Sequence, residues 1–540
     1  MKKIISFFYQ YTDLPKGTII FLFLTSGISY SLILAVVNKA VSYVATGHVI
    51  LEFRLFLMFI ILSLIHLYAK KASFKRSILF CEDIIERIRL SIVEKIRHSE
   101  IRLLETTGSG VIYARLTEDT RSLTRTVPFI SMAVVNFMSL ISVFLYLITQ
   151  SIQGFLFITI LFGCSLLIYK SVYGPAKEKI KEARKKETIF FELLNDMLSG
   201  FKEIRINYQK NEDLFADIYG IINESEQLKI DAQVSINNSF IVVSTTYYLM
   251  IGGIIFVLPV FNLVDNTAVV SLISSLLFVW GPLLVAFKSI PLYMMTSVSV
   301  DNLQSLIDTI DSFHFHTPDP PNKVVSTFNE ICLKSVNFSY KDNEGSTLFQ
   351  VGPIDFNLKN GEVVFVVGGN GSGKSTFMKL LSGLYYPDAG ELSIDGTIVT
   401  PQTYQLYRES FTTIYTDFHI FETPYSIQDV DPVEVDKLLK LMEIDHKTSF
   451  RNKKFTNMDL STGQRKRLAC IICLLEDKPI YVLDEWAADQ DPKFKMYFYE
   501  TFLENMRAMS KTVVAVSHDD RYFDRADRVV KMEMGKIVSL

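Results

Sequence analysis

The sequence predicts an α-helical six-span transmembrane domain followed by an α/β P-loop domain with a parallel sheet. Three observations predict this fold. Six long apolar segments occur before residue 300. Short β-branched runs then alternate with helical patterns, as a parallel sheet requires. A glycine-rich phosphate-binding loop directly follows one of these runs and precedes a helical pattern.

The length and composition fit a chain of this kind. At 540 residues it exceeds the size of a single hydrophobic core, and the predicted division is 1–315 for the membrane domain, 316–327 for a linker and 328–540 for the α/β domain. Hydrophobic residues make up 49% of the chain and the mean hydropathy is +0.25, which indicates a membrane protein. The net charge of −3 excludes a strongly basic nucleic-acid-binding protein, so DNA and RNA are not expected partners.

Most of the apolar segments are long enough for the roughly 20 residues of a membrane-spanning helix. They lie at 18–45, 50–69, 127–149, 153–172, 238–261 and 267–295. The second is the weakest, because its charge-free run from Leu55 to Ala69 is short and contains His66. A buried helix of a soluble domain is the alternative for that segment. The first segment is expected to remain as an anchor, because polar residues interrupt the run before it and no cleavable signal peptide is evident.

The polar connections predict which side of the membrane each loop occupies. The connections between segments two and three and between segments four and five are long and rich in Lys and Arg, whereas the other three are short. The positive-inside tendency places both long stretches and both termini in the cytoplasm, and Lys2, Lys3 and Lys16 agree with it. Apolar residues recur at intervals of three and four from Cys81 to Val93, so the spans are expected to continue as long helices.

The second domain begins after a proline-rich linker. Three prolines interrupt the run His316-Thr-Pro-Asp-Pro-Pro-Asn322, which breaks helix and strand alike. The strands predicted after it include Val363–Val367, Ile480–Leu483 and Thr512–Ser517. The five cysteines are scattered and define neither a disulfide framework nor a zinc site. Cys470 and Cys473 share an apolar helical run and are interpreted as packed core thiols.

The strongest motif is Gly368-Gly-Asn-Gly-Ser-Gly-Lys-Ser375, which fits the phosphate-binding pattern G-x-x-x-x-G-K-[ST]. Glycines let the backbone curl so that several N–H groups point at phosphates, Lys374 reaches the β and γ phosphates, and the Ser375 hydroxyl binds magnesium. ATP and Mg²⁺ are therefore the predicted cofactors. The predicted nucleotide contacts of this loop are Gly368, Asn370, Gly371, Ser372, Gly373, Lys374, Ser375 and Thr376.

An acidic pair follows a second apolar strand. The run Ile480-Tyr-Val-Leu-Asp484 ends in a carboxylate that is the second candidate magnesium ligand, and Glu485 is the candidate base for an attacking water. The alternative is that these acids only cap a helix N-terminus. Their position downstream of a phosphate-binding loop favours the catalytic interpretation.

Between these two motifs, Leu460-Ser-Thr-Gly-Gln464 resembles the L-S-G-G-Q signature of ABC (ATP-binding cassette) transporters, and the resemblance covers the whole chain. It implies an exporter-type half-transporter, an ATPase coupled to transport. It also implies that Tyr340 stacks on adenine, Asp491 is the D-loop acid, and His518 is the catalytic switch histidine. In this family the signature of one chain faces the phosphate-binding loop of another. A homodimer is therefore expected, with a heterodimer as the alternative, and Ser461, Gly463 and Gln464 are expected to contact the nucleotide held by the second chain.

Three stretches narrow the resemblance: 460–468, 481–492 and 517–524 look like the cyclic-peptide exporters, which include exporters of pyoverdine precursors and of a lasso-peptide microcin. Two departures accompany them. Thr416 stands at the position of the Q-loop glutamine, with Asp417 or His419 as substitutes, and no G-E-R-G stretch precedes the signature. The stretches 106–119 and 198–205 resemble the short coupling helices by which such exporters touch their ATP-binding domains.

The resemblance implies ATP-driven export of a peptide-like cargo, by alternating access in a homodimer, across the cytoplasmic (inner) membrane of a bacterium. The expected partners are a second copy of the chain, the cargo and membrane lipids. The alternatives are a lipid flippase or an importer with the same fold, and a membrane ATPase that senses without moving solute.

Overall fold

A computed structural model describes residues 6–8, 10–11, 16–45, 53–261, 263–313, 327–342, 345–425, 427 and 430–538. The chain packs as two compact units. The first comprises Met1–Ser91 and Tyr113–Ser305, and the second comprises Ile92–Ile112 and Leu306–Leu540. The stretch 92–112 therefore packs with the carboxyl-terminal domain although it lies in the amino-terminal half of the sequence. The predicted linker, except for Thr327, lies outside the described residues.

Long helices dominate the amino-terminal part of the chain. In order they are α1 (Lys16–Ala45), α2 (Phe53–Arg97), α3 (Ile101–Thr107), α4 (Ser109–Ala114), α5 (Thr120–Gln150), α6 (Ile152–Ser199), α7 (Phe201–Ile206), α8 (Tyr208–Gly252) and α9 (Asn266–Ser312). Single π-helical turns follow α4 and α8, at Arg115–Asp119 and Gly253–Val257.

Among the described residues, six helices are long and apolar enough to cross a membrane, which confirms the six predicted spans. The alternative of a buried helix in a soluble domain is wrong for the second segment, because only 6% of its apolar window is buried among the described residues. Helix α2 has 45 residues and is about 68 Å long, roughly twice the hydrocarbon thickness of a bilayer. Helix α6 has 48 residues. The spans therefore continue as long helices, as predicted.

The core of the first unit is apolar with a few buried polar groups. Leu34, Leu147, Ile254 and Leu272 are almost completely buried there. The Asn38 amide nitrogen, also buried, donates to the Tyr146 hydroxyl, to the Ser271 carbonyl and to the Ser275 hydroxyl. These internal hydrogen bonds reduce the cost of burying the amide nitrogen in an apolar interior.

The second unit contains three sheets. Its strands are β1 (Glu330–Lys341), β2 (Thr347–Lys359), β3 (Val363–Val367), β4 (Ala389–Ile394), β5 (Thr397–Ile398), β6 (Phe411–Ile414), β7 (Phe450–Arg451), β8 (Lys454–Phe455), β9 (Ile480–Leu483), β10 (Thr512–Val516), β11 (Arg528–Glu533) and β12 (Lys536–Val538). Its helices are α10 (Lys374–Leu381), α11 (Tyr404–Arg408), α12 (Pro432–Leu441), α13 (Thr462–Glu476), α14 (Pro492–Tyr497) and α15 (Leu503–Ala508).

The central sheet has the order β12, β11, β3, β10, β9, β6. All neighbouring pairs are parallel except β11 and β12, which confirms the predicted parallel sheet. Every residue of β3, β9 and β10 is buried, which explains why these strands read as unbroken apolar runs. An antiparallel sheet of order β2, β1, β4, β5 and the short β7–β8 hairpin complete the unit.

Cys470 and Cys473 pack in the core, as predicted. All five cysteines are free, and Cys470 and Cys473 are 1% and 4% exposed within the core around α13. Burial raises the pKa of the Cys473 thiol to about 12, so it stays protonated and unreactive.

Candidate functional site

The phosphate-binding loop links β3 to α10 and has the backbone that its glycines permit. Gly368, Gly371 and Gly373 have φ values of 150°, 75° and 100°. A Cβ atom on Gly368 would also lie 2.3 Å from the carbonyl oxygen of Met532. Both features exclude larger residues at this position. The Lys374 ammonium is buried under the loop and donates to the carbonyl oxygens of Gly368 and Gly369, each at 2.9 Å.

The loop borders a cavity of about 450 Å³, which is lined by Phe349, Asn370–Thr376 and Glu485. Most of the predicted loop contacts and the candidate base therefore share one cavity. Phe349, on β2, was not predicted, because an aromatic residue in a strand carries no signal of a ligand site.

Asp484 lies at the end of β9 and is 1% exposed. Among the described residues, neither of its carboxylate oxygens has a hydrogen-bond partner. Burial raises the pKa of this carboxyl, and the neighbouring Ser375 hydroxyl and Lys374 ammonium offset part of the rise. A buried carboxylate with free oxygens beside a hydroxyl suits Mg²⁺, which prefers oxygen ligands. The two predicted metal ligands, Asp484 and Ser375, therefore fit the ion.

The predicted catalytic pair is brought together. The Nε2 atom of His518, which follows β10, lies 3.0 Å from Oε1 of Glu485. Both side chains are partly exposed, so water reaches them. Glu485 has φ +52°, a left-handed conformation that is unusual for a residue other than glycine.

Tyr340 lies near the phosphate-binding loop, on strand β1. Its hydroxyl is 3.1 Å from the Thr376 hydroxyl and 3.1 Å from the Tyr385 hydroxyl. Its ring is 6.5 Å from that of Phe349. The predicted adenine-stacking residue therefore contacts two residues of the cavity lining.

The signature residues occupy a helix N-terminus. Ser461 caps α13: its side chain accepts from the Gln464 backbone, and the Gln464 side chain accepts from the Ser461 backbone. A Cβ atom on Gly463 would lie 2.8 Å from the carbonyl oxygen of Asp489, which explains the glycine. None of Ser461, Gly463 and Gln464 belongs to the described lining of the phosphate cavity.

Asp491 caps helix α14 by accepting from the Phe494 backbone nitrogen at 3.0 Å. This hydrogen bond, together with the Arg467 guanidinium, lowers the pKa of the Asp491 carboxyl. Within one chain Asp491 therefore has a clear structural role, and its D-loop role stays a prediction.

Two buried cations of the signature helix were not predicted. Lys466, 3% exposed, donates to the backbone carbonyl of Glu485 at 2.7 Å and pairs with Asp489 at 2.6 Å. Arg467 lies 3.6 Å from the ring centroid of Phe494. The sequence did contain a signal for them: two charged residues directly precede an apolar helical run. Charged residues buried in such a position require partners.

The stretches predicted to couple the two domains are mainly helical, and their coupling role stays a prediction. In the second unit, Arg102 and Glu105 of α3 contact the α/β domain, and both precede the predicted stretch 106–119. The second stretch contains α7, where Phe201 and Ile206 are 59% and 87% exposed. Thr416 is exposed in the turn after β6, and its place in the Q-loop stays a prediction.

Known proteins resemble this chain in both units. Residues 17–295 match the family of ABC transporter transmembrane regions, and residues 351–488 match the ABC transporter family. The ATP-binding protein SyrD of Pseudomonas syringae pv. syringae is 30% identical over 473 residues, 84% of this chain and 82% of that protein. A bacterial Atm1-family ABC exporter with ATP bound has the same fold, with a TM-score of 0.74, 17% identity, and coverage of 97% of this chain and 94% of that chain.

Two further relatives match about 40% of this chain. An ATP-dependent lipid A-core flippase of Vibrio vulnificus is 27% identical over 237 residues, 40% of each chain. The subtilin transport ATP-binding protein SpaT of Bacillus subtilis is 27% identical over 235 residues, 40% of this chain and 37% of that protein. Because both units match and one relative aligns over most of its length, the chain belongs to the ABC transporter family, as a multi-pass membrane protein of exporter-type fold whose ATPase is coupled to transport.

Proposed function

We propose that this chain exports a peptide-like molecule across the cytoplasmic membrane of a bacterium as a homodimer. The cargo class is a cyclic peptide, a lasso peptide or a siderophore precursor. Both termini and the polar extensions of the long helices lie in the cytoplasm, and the spans contact membrane lipids. Two ATP molecules bind between the two copies, and alternating access follows from the different affinities of the open and closed states for nucleotide.

One observation carries the dimer: the signature residues Ser461, Gly463 and Gln464 lie outside the phosphate cavity of their own chain. The backbone and hydroxyl at the start of α13 are exposed and suited to an anion, because a helix N-terminus attracts negative charge. A second copy would supply the missing side of each ATP site, and the first copy would do the same in return.

Different residues of one chain bind the phosphates, hold the metal ion and activate the attacking water. Lys374 exchanges its bonds to the carbonyl groups of the loop for the phosphates, and Ser375 and Asp484 hold Mg²⁺. When bound, Mg²⁺ would supply positive charge next to the phosphates. Glu485 accepts a proton from the attacking water, and His518, already 3.0 Å from it, orients the carboxylate and the γ phosphate.

The peptide cargo is supported by the stretches 460–468, 481–492 and 517–524, which look like those of cyclic-peptide exporters. The relative named for subtilin transport favours the same class. Lipid is the second candidate cargo, because relatives in Vibrio vulnificus are named lipid A-core flippases, although they match only 40% of the chain.

Reconstitution tests the proposal. The chain is placed in proteoliposomes, ATP and Mg²⁺ are added outside, and two probes are followed: a labelled lasso or cyclic peptide, and a fluorescent phospholipid scored by dithionite quenching. ATP-dependent peptide accumulation that Glu485→Gln abolishes supports export. Lipid movement without peptide accumulation identifies a flippase, and ATPase activity without either movement identifies a sensor. Both results contradict the proposal.

A further inference from the structure

One face of helix α3 contacts the antiparallel sheet. Arg102 and Glu105, three residues apart, lie on the same side of the helix. The Arg102 guanidinium is 4.6 Å from the ring centroid of Phe338 and donates to the Ser339 carbonyl at 3.0 Å. Both partners belong to β1, the strand that also carries Tyr340. The helix therefore rests on the strand of the predicted adenine-stacking residue.

Glu105 reaches further into the domain than Arg102 does. Its Oε1 accepts from the Lys379 ammonium at 2.7 Å, and its Oε2 accepts from the Tyr385 hydroxyl at 2.6 Å. Tyr385 is 1% exposed, and its ring stacks on Phe338 with a centroid separation of 4.4 Å. A charge-assisted bond of this length is among the stronger hydrogen bonds that a protein makes.

The carboxylate fixes the direction of a chain of hydroxyl groups. Burial, followed by the hydrogen bonds with Glu105 and Tyr340, raises the pKa of Tyr385 well above its ordinary value, so its hydroxyl keeps its proton. That proton points to Glu105, since an ionised carboxylate only accepts. Tyr385 must then accept from Tyr340, and Tyr340 in turn accepts from Thr376. The order of donation is Thr376, Tyr340, Tyr385, Glu105.

We propose that Glu105 and Tyr385 are positioning residues that hold the Tyr340 ring for adenine, so that α3 controls nucleotide affinity without touching the nucleotide. Helix α3 is joined by short connections to α2 and α4, so a displacement of α3 that accompanies transport alters the adenine pocket. Thermodynamic linkage requires the reverse effect as well, in which nucleotide binding stabilises the docked position of α3. The inference rests on the proposed function because it takes ATP as the ligand and Tyr340 as its adenine contact.

The test separates the adenine from the phosphates. The kcat and KM for ATP and the inhibition constant of inorganic tripolyphosphate, which lacks a base, are measured on the full chain in lipid nanodiscs. Because one hydrogen bond to a charged group is lost, Tyr385→Phe and Glu105→Ala should each raise the KM for ATP about threefold to tenfold, while the kcat and the tripolyphosphate constant change less than about twofold. Glu105→Gln, which keeps an acceptor for Tyr385, should restore most of the affinity. The double variant should have a KM for ATP no higher than that of the more impaired single variant, because both changes break the same chain of hydrogen bonds.

Two matched controls exclude a general loss of folding. Tyr407→Phe removes a buried hydroxyl that bonds the Leu381 carbonyl instead, and Glu94→Ala removes an exposed ion-paired glutamate of α2. Both should keep the wild-type KM. The inference is overturned if both test variants keep that KM, or if the tripolyphosphate constant rises in parallel with it. A wild-type chain without ATPase activity would overturn the proposed function as well, whereas an active wild type with indifferent variants overturns only this inference.

Discussion

The buried ammonium group of Lys466 donates a hydrogen bond to the backbone carbonyl oxygen of Glu485 at 2.7 Å. The signature helix thereby helps to hold Glu485 in its left-handed conformation, φ +52°. The ion pair of Lys466 with Asp489 anchors the same loop a second time, at 2.6 Å. The geometry of the candidate base therefore depends on a side chain outside the described lining of the phosphate cavity.

Replacing Lys466 by methionine keeps most of the side-chain volume and removes both anchors. We expect kcat for ATP hydrolysis to fall about tenfold to a hundredfold, because misplacing a catalytic group by a fraction of an ångström is costly. The KM for ATP should change less than about threefold, and the folding stability should fall by about 1–3 kcal/mol. Steady-state ATPase assays and thermal unfolding measure these effects.

Lys493→Met is the matched control, since it removes an exposed ion pair with Glu443 at 2.9 Å from the same domain. It should behave as wild type. A Lys466→Met protein with wild-type kcat would show that the loop holds Glu485 without the lysine.

Replacing Glu485 by glutamine should leave ATP binding intact and slow hydrolysis by about 10²- to 10⁴-fold, the usual effect of losing a general base. The amide retains a polar contact with His518, so the local geometry should persist. Nucleotide binding by fluorescence and phosphate release measure the two effects separately. An ATPase rate within a few-fold of wild type would remove Glu485 from the base role.

Asp484→Asn should not lower the stability of the nucleotide-free protein, but it should remove most of the stabilisation that MgATP provides. Because burial raises the pKa of Asp484 in the folded state, the charged form costs stability, and that cost persists at pH values above both the unfolded and the folded pKa. The neutral amide removes the cost, so the melting temperature of the nucleotide-free variant should equal or exceed that of wild type at neutral pH. Added MgATP should raise the melting temperature of wild type but hardly that of the variant, because a metal ligand is lost.

Asp436→Asn, on an exposed face of α12, serves as the control and should change neither value. An equal stabilisation of Asp484→Asn and wild type by MgATP would contradict magnesium ligation by Asp484.

Local patterns explain why the strands and the loop that carry the candidate ATP site were predictable. The buried strands β3 and β9 are continuous apolar runs, and the phosphate-binding loop and Asp484 follow them directly in sequence. The network around Glu105 has no such signature, because Glu105 and Tyr385 are 280 positions apart and meet only when the domain is folded. The role of Lys466 was missed for a similar reason, because its partners Glu485 and Asp489 lie outside its own helix. Residues whose role depends on long-range packing were therefore missed, whereas residues set by strand, turn and helix order were found.

Complementation between two inactive chains tests whether the ATP sites are shared. Lys374→Ala destroys the phosphate-binding loop, and Ser461→Arg places a bulky cation where the exposed N-terminus of α13 would meet the nucleotide of the second copy. Neither homodimer keeps an intact site. In a mixed dimer, however, the normal loop of the Ser461→Arg chain faces the normal signature of the Lys374→Ala chain. The two variants are mixed in equal amounts in detergent, where their dimers dissociate without unfolding of the chains and then form again. The mixture should regain about a quarter of the wild-type sites, because half of the random pairs are mixed and each mixed pair has one of its two sites intact.

ATP binding and ATPase activity of the mixture, compared with each variant alone, measure the recovery. The control mixes Lys374→Ala with the double variant Lys374→Ala/Ser461→Arg, because no pairing of those chains contains an intact site. Asp431→Ala, which removes the cap of α12 instead of α13, shows how much activity the loss of a helix cap alone removes, at a cost of about 0.5–2 kcal/mol in stability. Recovery only in the first mixture is the expected result. Equal binding by that mixture and by both homodimers would mean that each chain completes its own site, and the homodimer with shared ATP sites would be wrong.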